Sequence, residues 1–231
     1  MNEATHSAGS GRRIWDLPLR VFHWTLLLAV FGAWLTRELE GDWFAWHTRF
    51  GYAVLVLVVW RILWGIWGTR HARFASFVRG PGALLQYLRD RPTSVGHSPL
   101  AALAVLLMLA ILLGQALSGL FANDQVFETG PLFGYVDVDT SNRLTTIHRQ
   151  LFDIIAIVIG VHVAAVFIYL LVKHENLLWP MFTGRKSNEL VPASEEISHS
   201  RWPVAIVLLA LIVGALVWVV QSAPQATLFS F

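Results

Sequence analysis

The chain has 231 residues, 55% of them hydrophobic and 14% charged, with 11 tryptophans and a mean hydropathy of +0.56. A soluble domain carries about a quarter charged residues, so a water-soluble globular enzyme is excluded, and several apolar runs approach the roughly 20 residues a helix needs to cross a bilayer. There is no cysteine, which removes disulfides, thiolate zinc sites, iron–sulfur clusters and thioether-linked haem; a metal here must be held by His, Met or carboxylates.

Residues Met1 to Arg13 are polar and lack the apolar core of a signal peptide, so the first apolar stretch reads as a retained helix. Hydropathy predicts five spans. The first covers Leu17 to Thr36 and contains Arg20 and His23. The second covers Trp46 to Trp67, with His47, Arg49 and Arg61 inside it. The third, Pro99 to Phe121, is uncharged, and Gln115 is its most polar residue. The fourth covers Ile147 to Val172 with His148, Arg149, Asp153 and His162. The last, Trp202 to Val220, is uncharged and follows a polar linker, Ser187 to Arg201. The expectation is an all-α integral membrane protein: a four-helix bundle over residues 14–186, a linker over 187–201, and an additional helix with a short tail over 202–231. Gly80 to Asp90 (GPGALLQYLRD) reads as a short helix lying on the membrane surface.

The loops set the expected orientation. Arg70, Arg73, Arg79, Arg89 and Arg91 lie between spans two and three, against Asp90 alone. Asp124, Glu128, Asp137 and Asp139 lie between spans three and four, against Arg143. The positive-inside rule puts the amino terminus in the cytoplasm and the carboxyl terminus outside.

Ionisable residues at membrane depth are costly and point to function. In this topology His47 and His148 share the outer depth, and His23 and His162 the inner. His148 and His162 are 14 residues apart, about 21 Å along a helix and within roughly 40° of one face. One stripe of one helix thus offers an imidazole at each of two depths. Two neutral imidazoles from facing helices are the usual axial ligands of a six-coordinate b-type haem, an arrangement suited to electron transfer. The same interval recurs with arginine: Arg37 follows His23, and Arg61 follows His47, by 14 residues. Each guanidinium would lie at the depth of the other haem, where it can pair with a propionate; Arg20 can serve the inner haem. A lone His at a helix end is more often an interface residue, and Arg37 can simply snorkel. Trp24 and Trp60 are candidates to pack on haem, and His71 is a reserve ligand. Asp153 admits two readings: an interhelical hydrogen bond near the depth of Gln115, or a proton path or quinone contact near the outer haem.

The segments IWDLPLRVFHW (Ile14 to Trp24), RILWGIWGTRHARF (Arg61 to Phe74), GHSPL (Gly96 to Leu100) and HENLLWPMFTGRK (His174 to Lys186) resemble the prokaryotic cytochrome b561 family, which includes the b-type subunits of membrane-bound nickel–iron hydrogenases. The resemblance covers about residues 14 to 186. It implies a bundle with two non-covalent haems on His23, His47, His148 and His162. These would exchange electrons with ubiquinone or menaquinone and with a periplasmic cytochrome c or hydrogenase-like partner. Some members resemble superoxide oxidases, which pass an electron from superoxide at the outer face to ubiquinone; a basic funnel over the outer haem would favour that alternative, and Arg37, Arg49, Arg143 and Arg149 could form one, though the surrounding acids oppose it. A haem-free membrane anchor is the reading from another class. No phosphate-binding glycine loop, nucleophile elbow or nucleic-acid motif is present.

Overall fold

The computed structural model describes residues 11–39, 43–90 and 95–224, and His6 and Arg91 lie outside them. Among the described residues five helices are long and apolar enough to cross a membrane: α1 (Leu17–Glu38), α2 (Phe44–Trp67), α5 (Pro99–Leu120), α6 (Val138–Leu171) and α8 (Trp202–Gln221). The shorter α3 (Phe74–Phe77) and α4 (Pro81–Asp90) lie between α2 and α5, and α7 (Leu178–Thr183) lies between α6 and α8. A two-stranded antiparallel ribbon, β1 (Gly11–Arg13) with β2 (Arg185–Ser187), ties the segment before α1 to the segment after α7.

Local chemistry sets the helix starts. Asp16 caps α1 by accepting the Leu19 N–H at 2.7 Å, with Pro18 in the first turn, where its missing N–H is harmless. Ser98 and Pro99 repeat the device on α5, and Asp137 caps α6 through the Thr140 N–H. That cap starts α6 nine residues before the predicted span, so the helix rises roughly 14 Å beyond its apolar stretch. Hydropathy registers the bilayer portion of a helix and misses a polar extension that a capping aspartate can nucleate.

Helix α2 is the centre of the bundle. It packs against α1, α5 and α8 and buries Val54, Val58, Trp60, Arg61 and Trp64. Helix α6 packs on α5, and its two buried residues are Ser141 and Ile155. With His148 and His162 these form a seven-residue series, 141, 148, 155 and 162. A heptad advances an α-helix by only about 20° from its starting face, so both histidines share the face of α6 that buries Ser141 and Ile155; His148 is half-buried there, while His162 is exposed.

The two ends of the bundle differ. At the arginine-rich end, Arg70 pairs with Glu195 at 2.6 Å, His71 Nε2 bonds the Glu195 carbonyl at 2.7 Å, and Arg12 bonds the carbonyls of Asn188 and Val191. The segment 187–201 is therefore docked, with Val191 fully buried, and α8 is held on α2 by Trp60 Nε1–H donating to Ala205 O at 3.0 Å. At the acidic end, Asp124 accepts the N–H groups of Val126, Phe127 and Glu128 at 2.8–2.9 Å, and Tyr135 donates to the Ser222 carbonyl beyond α8. Burial of Asp124 would by itself raise its pKa, but these N–H bonds lower it overall. The Thr140 N–H and hydroxyl lower that of Asp137. Gly80 to Asp90 is helical from Pro81, and this α4 meets α6 through the hydroxyls of Tyr87 and Tyr169 at 3.4 Å.

Candidate haem sites

At the acidic end four helices converge on two histidines. His47 from α2 and His148 from α6 meet edge to face, with ring centroids 6.2 Å apart and planes at 84°. An imidazole–metal bond of about 2 Å on each side needs roughly this separation between rings that share one metal atom. Neither ring is loose. His47 Nδ1 lies 2.8 Å from the carbonyl of Ala33 on α1, and His148 Nδ1 lies 2.9 Å from that of Gln115 on α5. Gly119 makes room for His148, since a Cβ there would stand 2.8 Å from the imidazole Cε1. Arg37 is exposed and close enough to His47 to act on it electrostatically.

At the arginine-rich end His23 and His162 lie within electrostatic range of each other. The His23 ring stands on edge against Trp24, 5.1 Å away, and Trp24 stacks on Phe182 at 4.5 Å. Among the described residues five buried polar side-chain atoms have no hydrogen-bond partner, and three of them belong to this end's predicted set: His23 Nδ1, Arg20 Nε and Arg61 Nη1. Arg61 is 2% exposed, with its guanidinium 5.1 Å over the Phe74 ring. That ring fits because Gly65 has no Cβ, which would fall 2.1 Å from it. Arg20 spends Nη1 on the Phe182 carbonyl. Buried guanidinium N–H groups without a hydrogen-bond partner, at the same end of the bundle as His23 and His162, fit a ligand that carries carboxylates, as haem does. No cluster of three or more His, Cys, Asp or Glu suited to a bare metal ion occurs among the described residues. Iron in a porphyrin needs only two protein ligands, so paired histidines suffice.

Other sequence candidates are engaged elsewhere. Trp60 stacks on Phe22 and Trp64 and holds α8, and His71 secures the docked linker. The guanidinium of Arg49 lies 4.7 Å over Trp46. Arg143, Arg149 and Asp153 are exposed. Gln115 turns to His148, its Nε2 lying 3.2 Å from His148 Nε2, rather than to Asp153. Sequence reasoning assigned no role to Asp16 or His97. The fully buried Asp16 carboxylate accepts Trp64 Nε1–H and the Thr69 hydroxyl beside its own cap bond. Burial raises its pKa, against those bonds and the Arg61 charge. The His97 ring lies 4.8 Å from Trp15 and 4.5 Å from Phe77. Burial, then the charges of Arg61, His71 and Lys186, push its pKa down to about 3. The aspartate was findable from D-x-P before an apolar run, a capping signature; nothing local marks His97 as enclosed.

Neither the curated proteins nor the solved structures contain a significant match to the chain. The family model described as prokaryotic cytochrome b561 matches residues 14–184, a stretch that holds α1 through α7 and His23, His47, His148 and His162. The chain belongs to the prokaryotic cytochrome b561 family and is a multi-pass membrane cytochrome of the b type, built for electron transfer.

Proposed function

We propose that the chain is a dihaem electron conduit between the quinone pool and a redox partner on the periplasmic side. One b haem is held by His47 and His148 near the outer face, and the other by His23 and His162 near the cytoplasmic face. The observation that supports the reading is the face of α6 shared by two imidazoles about 21 Å apart, one in ring contact with His47 of α2 and the other within electrostatic range of His23 of α1.

Haem supplies one-electron chemistry when bound. The chain would hold its iron with neutral imidazoles and would offer Arg20 and Arg61 to propionates at one end and Arg37 at the other. Two histidines for each haem would leave the iron no site for oxygen, which suits electron transfer. The Arg-rich loop before α5 sets the orientation, with the acidic loop over the His47–His148 site facing a periplasmic partner.

The test is haem content of the purified chain, followed by its reduction in membranes by a quinol. Two b haems per chain, both reducible by quinol, are expected. Fewer than two haems, or two that quinol cannot reduce, would contradict the proposal.

A further inference from the structure

The third long helix, α5, offers no histidine, yet it has three contacts with His148. The Gln115 carbonyl is 2.9 Å from Nδ1, the Gln115 carboxamide Nε2 is 3.2 Å from Nε2, and the buried Ser118 hydroxyl donates to the Gln115 carbonyl at 3.0 Å while lying 3.4 Å from Nδ1. A carbonyl only accepts, so Nδ1 must carry the hydrogen. The carboxamide N–H only donates, so Nε2 must present its lone pair. The network fits one tautomer of a neutral imidazole.

His47 is held by the same device on another helix. Its Nδ1 is 2.8 Å from the Ala33 carbonyl, and the buried Thr36 hydroxyl, three residues on, reaches that carbonyl at 3.3 Å besides its main bond to Gly32 O at 2.6 Å. The first ligand at the other end lacks it, because His23 Nδ1 has no partner.

We propose that Ala33 with Thr36 and Gln115 with Ser118 are two matched carbonyl–hydroxyl clamps. They hold His47 and His148 with the proton on Nδ1, and Thr36 and Ser118 are positioning residues that tune how strongly each imidazole donates to iron. The inference rests on the dihaem reading for its redox consequence, but the tautomer claim stands without it. The hydroxyl draws on the carbonyl that accepts the imidazole N–H. Removing it leaves that carbonyl a stronger acceptor, makes the imidazole a better donor, favours ferric iron and lowers the midpoint potential.

Two measurements decide it. In haem-free protein labelled with 15N-histidine, His47 and His148 should show the Nδ1–H tautomer with a bare Nε2; an Nε2–H tautomer at either overturns the clamp. In haem-loaded protein, Ser118→Ala should keep both haems and shift downward only the potential of the haem that His148→Ala removes. Thr36→Val should shift the same haem less, and Ser118→Thr should restore the wild-type value. An unchanged potential, or an equal shift in both haems, overturns the tuning role. Protein that takes up no haem would refute the dihaem reading and leave the tautomer measurement to judge the clamp.

Discussion

His47 of α2 and His148 of α6 face each other at 6.2 Å between ring centroids, and each gives its Nδ1 to the backbone of a third or fourth helix. A site assembled this way depends on helix spacing, and α5 sets that spacing next to His148. Replacing Gly119 by Ala puts a methyl 2.8 Å from the imidazole Cε1, too close without moving the ring or the helix. Gly119→Ala should halve haem content while leaving the other haem's spectrum intact. Gly160→Ala, where a Cβ meets nothing within 4 Å, should retain both. A Gly119→Ala protein with full haem content would show that α5 does not constrain the site.

Asp16 joins the start of α1, the end of α2 and the loop beyond it through three hydrogen bonds. Asp16→Ala removes a helix cap, about 1 kcal/mol, and orphans two buried donors at about 1–3 kcal/mol. The expected loss is about 2–4 kcal/mol by thermal or denaturant unfolding in detergent. Asp16→Asn, which keeps the capping oxygen, should lose clearly less. Equal losses would mean that the charge, not the cap and the acceptor, carries the effect.

His97 gives a pH dependence whose sign follows from its depressed pKa of about 3. Between that value and the ordinary value near 6.5, the unfolded chain binds a proton that the folded chain refuses. Its contribution to stability is therefore constant above about pH 6.5 and declines as pH falls below it, by up to about 1.4 kcal/mol per unit. Asp16, whose folded pKa is raised, acts in the opposite sense nearer its own titration. The slope in His97→Phe should be shallower than wild type between pH 6.5 and 4. Parallel curves would mean that His97 is solvated and titrates normally.

The fifth helix is attached by a buried hydrogen bond, Trp60 Nε1–H to Ala205 O. Trp60→Phe keeps most of the stacking with Phe22 and Trp64 but loses this bond, and should cost about 0.5–1.5 kcal/mol with haem content unchanged. Loss of a haem in Trp60→Phe would instead place Trp60 against the cofactor, as its sequence position inside α2 first suggests.

Much of this was legible in the sequence, for a physical reason. Four of the five helices begin and end within two residues of the apolar runs, because bilayer-spanning length is dictated by composition. The interval from His148 to His162 fixes a stripe by helical arithmetic, and the burial of Ser141 and Ile155 places the part of it around His148 against the bundle, while His162 is exposed. What escaped is what composition does not encode. The linker 187–201 is polar, yet it is docked through Val191 and Glu195. The acceptors for His47 and His148 are backbone carbonyls, which every residue possesses and no motif announces. Trp60 and His71 drew attention by residue type and are occupied by α8 and the linker.

The central claim is that four histidines form two pairs, and haem loss in single variants tests it most directly. Reduced-minus-oxidised spectra and haem counts should show His47→Ala and His148→Ala each removing one and the same haem, and His23→Ala and His162→Ala each removing the other. Loss of different haems within a pair, or retention of two haems in any of these variants, would contradict the account.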